Sequence, residues 1–325
     1  MLELKFGMAA ILLASAASAA SPKAEPYHLI PGVVPTNDWQ GPNGNTIVLD
    51  APDGLIVFDT GRSPDHAQAV LDYAKQRGRP IAAILNSHWH LDHTTGNLDL
   101  RQVYPQADVY ATTAIEGALD SYLNRDRSGT DKLLADSKTP EQAKAQALRG
   151  RNRIDNPDSL RPTKPVLKSA RMTIAGRELE MHVAPFAASE ADLWVYDRKT
   201  RVALVGDLVV DIVPFMDSAC PDGWAKALVE IEKVPFETLI PGHGAPMTRA
   251  DFVQWKTAFN NMIKCGRSSV DIAMCAAGWE RDAAKFIYEP LRKEIGEAVE
   301  RYVTARLRSS PERQQKYCKT LRIAK

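Results

Sequence analysis

The run Ile81-Ala82-Ala83-Ile84-Leu85-Asn86-Ser87-His88-Trp89-His90-Leu91-Asp92-His93 carries more chemistry than any other part of this chain. Five consecutive apolar residues of strand length, with no polar alternation, predict a β-strand buried on both faces. Directly after it come three histidines and an aspartate within six positions. Imidazole and carboxylate are favoured ligands of zinc and related first-row ions. Side chains at i and i+2 of an extended segment project to the same side, so His88 and His90 can close on one ion. Asp92 and His93, past the strand end, can turn towards a second.

On the N-terminal side, Thr46-Ile47-Val48-Leu49 and Leu55-Ile56-Val57-Phe58 flank Asp50-Ala51-Pro52-Asp53-Gly54, the composition of a β-hairpin. The second run ends in Asp59-Thr60-Gly61. A helix follows, with Ser63 as N-cap, Pro64 at its first position, a stripe of Ala67, Val70, Leu71 and Ala74, and Gly78 as terminator. On the C-terminal side, residues 124–165 are rich in Arg, Asp, Lys, Ser and Pro and read as a helical, mostly solvated insertion, with a capping box at Thr139-Pro140-Glu141-Gln142. Strands resume at Leu179 to Val183, Leu193 to Tyr196 and Val202 to Val205. Helices over about 250–325 close the chain, one of them from Leu291 to Leu307 with an amphipathic face. Strands and helices alternate early in each half, which predicts a layered α/β architecture.

The histidine cluster and its surroundings resemble the metallo-β-lactamase superfamily, whose signature is HxHxDH at a strand end. The likeness extends to Asn45 and the hairpin ending in Asp59-Thr60-Gly61, to Gly206-Asp207-Leu208, and to Pro241-Gly242-His243-Gly244, covering roughly residues 40 to 250. It implies a four-layer αββα sandwich with a metal site at one edge of the two sheets. It also implies that His88 and His90 serve a first metal site, that Asp92, His93 and His243 serve a second, and that Asp207 bridges them. Asp59 is a candidate to support a ligand from behind.

One position departs from that pattern. The third histidine of the first site belongs just before the strand Leu193 to Tyr196, where this chain reads Ala187-Ala188-Ser189-Glu190-Ala191-Asp192, with alanine at position 188. The expectation is therefore one firmly held zinc on Asp92, His93, Asp207 and His243. The His88 and His90 site is expected to be weak or empty, with Glu190 as a substitute oxygen ligand. Without a first metal, His88 and His90 are expected to donate hydrogen bonds to a developing oxyanion. Trp89, Phe186, Phe215 and Met216 are candidates for the pocket mouth, and the insertion for a lid. The resemblance implies a hydrolase in which zinc activates water for attack on the carbonyl of a small ester, lactone, thioester or amide, with Asp92 orienting or deprotonating that water. Asp207 at the bridging place resembles the glyoxalase II and lactonase branches more than the true β-lactamases. A β-lactam hydrolase and a turnover-deficient metal- or ligand-binding protein are the alternatives.

The composition fits a small-molecule substrate. The 325 residues carry 41 basic against 40 acidic side chains, so the electrostatic footprint of nucleic-acid recognition is missing. The N-terminal segment combines Lys5, an apolar run from Gly7 to Ala14, and Ala17-Ser18-Ala19, which predicts a signal peptide over 1–19, a single domain over 22–325, and a periplasmic or secreted location. No stretch approaches the length of a membrane span. In an oxidising compartment Cys220, Cys265, Cys275 and Cys318 allow three disulfide connectivities. Cys265–Cys275, close in sequence, is the first candidate, leaving Cys220–Cys318 to tie the tail to the body.

Overall fold

Apolar runs broken by Gly, Pro and Asp turns build two β-sheets. The computed structural model describes residues 26–32, 41–316 and 318, so the signal-like segment 1–19 lies outside it. The first sheet contains β1 (His28–Ile30), β2 (Thr46–Ala51), β3 (Gly54–Phe58), β4 (Ile81–Leu85), β5 (Asp108–Ala111) and β6 (Lys164–Pro165), in that order. The second holds β7 (Ala170–Ile174), β8 (Arg177–Pro185), β9 (Ala191–Asp197), β10 (Val202–Gly206) and β11 (Thr238–Pro241), ordered β11-β10-β9-β8-β7. β2 and β3 form the predicted antiparallel hairpin, and β3, β4 and β5 run parallel.

The faces sort by alternation. Ile47, Leu49, Ile56 and Phe58 of the first sheet meet Leu179, Met181, Leu193 and Val195 of the second in a shared interior. On the outer face of the first sheet, Val48, Leu55 and Val57 pack against Val70 and Ala74 of α1 (Pro64–Arg77). Ser63 caps α1 by accepting from His66 N, and Gly78, at φ 61°, ends it in the left-handed conformation that suits glycine. Two short helices, α2 (Leu91–Thr94) and α3 (Asn97–Val103), follow β4. Across the molecule, Trp194, Tyr196, Ala203 and Val205 point outward onto helices that include α7 (Pro221–Lys233) and α8 (Arg249–Gly266). Helix, sheet, sheet, helix is the four-layer αββα sandwich.

Between β5 and β6 lie α4 (Ala114–Asp120), α5 (Tyr122–Ala135) and α6 (Glu141–Asp155). The insertion is helical, most of its described residues are exposed or partly exposed, and it is anchored to the body along its inner side. Arg149 and Arg153 of α6 both reach Asp99 of α3, and Arg153 Nε also donates to Thr95 O at 3.1 Å. Ala143 and Ile154 are buried, and Ile154 shares an apolar cluster with Trp89 and Leu91. The capping box at Thr139 does not form. Pro140 is the N-cap residue of α6, it has no side-chain acceptor, and Thr139 falls one residue too early.

The chain closes with α9 (Ile272–Asp282), α10 (Arg292–Tyr302) and α11 (Pro311–Gln314). The Leu291–Leu307 helix is shorter than predicted, because Glu289–Leu291 is a 3₁₀ turn and Val303–Leu307 widens into a π turn. Disulfides join Cys265 to Cys275 and Cys220 to Cys318, the predicted pairs. Among the described residues no helix is long and apolar enough to cross a membrane.

Candidate metal centre

Four strand ends meet at one edge of the sandwich. β3 delivers Asp59, β4 delivers Ser87 and His88, β10 delivers Asp207, and β11 delivers His243. Asn45 ties the two sheets together here: its Nδ2 donates to Pro241 O at 3.0 Å and Gly244 O at 2.8 Å, and its backbone N to Gly242 O at 2.7 Å. The backbone must pass close to the site at Gly242, where an added Cβ would lie 2.1 Å from Asp207 Oδ1. Gly206, at φ 52°, turns Asp207 inward.

Two groups of three potential ligands result, His88 with His90 and Asp207, and Asp92 with His93 and His243. Asp207 faces both. Its Oδ2 lies 3.6 Å from His88 Nε2, while its Oδ1 lies 3.1 Å from His93 Nε2 and 3.4 Å from His243 Nε2. Asp92 Oδ2 is 3.2 Å from His243 Nε2 and 3.5 Å from His93 Nε2. His88 Nε2 is buried with no hydrogen-bond partner, and His93 Nε2 and Asp207 Oδ1, 3.1 Å apart, are buried with no well-aligned hydrogen bond. Buried polar atoms left without partners are costly. Several converging on one point fit a cation that satisfies them together.

The outward sides of three of the histidines, His88, His90 and His93, are tied down. His93 Nδ1 donates to Asp59 Oδ2 at 2.8 Å. Ser87 donates from its hydroxyl to Asp59 Oδ2 and from its backbone to Asp59 Oδ1, both at 2.7 Å. With its proton committed to Asp59, the Ser87 oxygen accepts from His88 Nδ1 at 2.9 Å. Ser218 repeats this on the other side: its hydroxyl donates to Ala188 O at 3.1 Å and so accepts from His90 Nε2 at 2.9 Å. His88 is therefore left with a lone pair on Nε2 and His90 with one on Nδ1. That removes the expected oxyanion-donor role, because the nitrogens left over are acceptors.

Electrostatics agree with a cation site. Burial holds His90 down to about 4 and, with His90 and His93 adding to it, His88 well below its usual value, so both rings are neutral, the form that binds metal. Burial also opposes charge on His93, but the carboxylates of Asp207, Asp92 and Asp59 outweigh it and hold His93 well above its usual range. These three buried carboxylates attract positive charge from whatever source offers it.

Residues 39–243 match the metallo-β-lactamase superfamily. The chain belongs to this superfamily. A linear primary-alkylsulfatase of a Pseudomonas species is 24% identical over 225 residues, which is 64% of this chain and 42% of that protein. An atrochrysone carboxyl ACP thioesterase of Passalora fulva is 40% identical over 81 residues, 24% of each protein. The chain thus spans less than half the length of these curated relatives. The solved structure of the sec-alkylsulfatase Pisa1 from Pseudomonas shares the fold, with a TM-score of 0.54 and 17% identity across 79% of this chain and 47% of that one.

Against the superfamily pattern, His88, His90, Asp92, His93, Asp207 and His243 come together, with Asp59 behind His93. Ala188 is buried and offers only its carbonyl, to Ser218. Glu190 is not among the clustered ligands: its Oε2 accepts from Trp89 Nε1 at 2.8 Å, and burial raises its carboxyl. A cavity of about 390 Å³ opens over the centre, and Trp89 and Phe215 line it. Phe186 and Met216 do not. Phe186 faces a separate cleft beside Cys220–Cys318, and Met216 is fully buried in the helix-covered core one residue past Phe215, where its side chain turns the other way. Sequence reasoning overlooked Arg62, Tyr122, Arg301 and Ser218. Arg62 alone had a usable signal, since it follows Asp59-Thr60-Gly61 directly.

Proposed function

We propose that the protein is an exported zinc-dependent hydrolase that cleaves a small ester, lactone, thioester or amide. The observation that carries this reading is the convergence of buried ligand atoms from His88, His93 and Asp207, none in a well-aligned hydrogen bond, beneath a cavity. Zinc bound by such residues supplies Lewis acidity, lowering the pKa of water towards neutrality and polarising a carbonyl. Asp92 lines the cavity beside His243, which supports its assignment as the residue that orients the attacking water and takes its proton at a carboxylate oxygen. Asp59 and Ser87 hold His93 and His88 in the tautomers that keep their lone pairs inward. Asp92, His93 and His243 with Asp207 offer four donors and form the firmer site, whereas His88 and His90 with Asp207 offer three. The two disulfides suit the oxidising compartment that an exported chain enters.

The alanine at position 188 favours a second reading, a metal- or ligand-binding protein without turnover. The test is metal content per chain on purified mature protein, together with hydrolysis of a lactone, a thioester and a chromogenic β-lactam. The expected result is at least one zinc per chain, turnover of a member of the panel, and loss of about 10³-fold or more in rate for Asp92→Ala with an unchanged circular dichroism spectrum. Cleavage of the β-lactam alone would select the β-lactamase alternative. Metal bound without turnover of any substrate would select the binding protein.

A further inference from the structure

The cavity over the centre has an uneven lining. Its wall is a succession of rings: Trp89 and Tyr122 at 5.2 Å between centroids, Tyr122 and Phe215 at 6.3 Å, and Phe215 and Tyr302 at 6.2 Å. The carboxylates in the lining, Asp92 and Asp207, are turned to the histidines. Two guanidinium groups complete it, Arg62 next to Asp92 and Arg301 over the Tyr302 ring.

Arg62 is held at its root and open at its tip. Its backbone N donates to Asn43 Oδ1 at 2.8 Å, and its carbonyl accepts from Arg149 Nε at 3.0 Å. Of the five N–H donors on a guanidinium, Nε alone has a hydrogen bond among the described residues, to Pro42 O at 3.3 Å. Nη2 stands 3.7 Å from Asp92 Oδ1, too far for a hydrogen bond. Arg301 rests on the Tyr302 ring at 4.9 Å and has no carboxylate within ion-pair distance among the described residues. Two cations disfavour a positively charged ligand, and a rigidly rooted fork with open donors matches the planar, bidentate geometry of a carboxylate.

On the hydrolase reading above, we propose that the substrate is a carboxylate-bearing molecule with an aromatic or apolar portion. Arg62 receives the carboxylate close to the scissile carbonyl, and the rings from Trp89 to Tyr302 take the apolar portion. Arg62 is then the residue that determines specificity.

The test compares two thioesters with one acyl group, S-benzoyl thioglycolate and its neutral isostere S-benzoyl thioglycolamide. Hydrolysis is followed by release of thiol, and calorimetric affinity is measured for both compounds. The expected kcat/KM ratio of acid to amide is on the order of 10- to 100-fold, the worth of a charge-assisted pair. Arg62→Gln brings that ratio close to one and Arg62→Lys keeps part of it, with folding of each variant checked by circular dichroism. Equal rates for the two compounds would overturn the inference and leave the hydrolase reading standing. A parallel fall of both rates in Arg62→Gln, with the ratio unmoved, would also overturn it and make Arg62 a positioning residue for Asp92. If neither compound turns over, tighter binding of the acid that Arg62→Gln abolishes supports the carboxylate inference against the hydrolase reading. Equal or absent binding removes it.

Discussion

The hydroxyl of Ser218 decides which nitrogen of His90 faces the cavity, because it can accept from Nε2 only while donating to Ala188 O. Ser218→Ala removes the acceptor and lets the ring turn or change tautomer, so affinity of the His88, His90 and Asp207 group for metal should fall about 10- to 100-fold. Competition against a chromogenic chelator measures this, and Ser218→Thr, which keeps the hydroxyl, should restore most of it. A second residue carries a pH dependence. Asp192 is fully buried, and burial raises its carboxyl to about 8 despite hydrogen bonds from Ser189 N at 3.0 Å and Ser189 Oγ at 3.3 Å. The unfolded chain ionises it near its ordinary 3.8, so between those two values the folded state binds the extra proton, and stability falls as pH rises. Denaturant midpoints at about pH 5 and pH 8 should show that decline, and Asp192→Asn should flatten it. At this scale the sequence reveals ligands better than their supports. His88, His90, Asp92 and His93 stand together in the chain, whereas Ser218 lies 128 positions from the His90 ring it holds.

At the scale of elements, the hairpin, α1 with both caps and the buried β4 follow from local chemistry, because turn residues, a proline and a terminal glycine act within a few positions. The insertion does not, since its anchors are long polar arms. Arginines on α6 count as surface in any reading of composition, yet Arg149 and Arg153 converge on Asp99, 50 and 54 positions away. The buried Ile154 of the same helix packs in one cluster with Trp89 and Leu91. Arg153→Met leaves Thr95 O without its donor and Asp99 with one partner fewer. That change should cost about 1–3 kcal/mol, read from the denaturant midpoint, the range for a partly buried polar group that loses its bond. Arg151→Met, whose ion pairs with Asp131 and Asp155 lie at the exposed surface, should cost less than about 1 kcal/mol and serves as the control.

Across the whole molecule, the centre gathers residues from position 59 to position 243, and no periodicity places them together. What made them readable was recurrence of the strand-end motifs in one order along the chain. Arg301 sits in no such motif and Arg62 only borders one, so their meeting in one cavity emerged with the fold. The disulfides join distant parts in the same way and differ in reach: Cys220 and Cys318 are 98 positions apart, Cys265 and Cys275 only 10. In the chain-entropy account a cross-link stabilises by restricting the unfolded ensemble, and the gain grows with the logarithm of the loop. For these two loops the difference is up to about 2 kcal/mol in favour of the long one. Cys220 is also the N-cap residue of α7, and its backbone N donates to Ala187 O at 2.8 Å, close to the Ser218 contact with Ala188. Cys220→Ser with Cys318→Ser should therefore lower the denaturant midpoint more than Cys265→Ser with Cys275→Ser, and should lower metal retention as well. A larger loss from the short loop would mean that packing of α8 against α9, rather than chain entropy, sets what these bonds contribute.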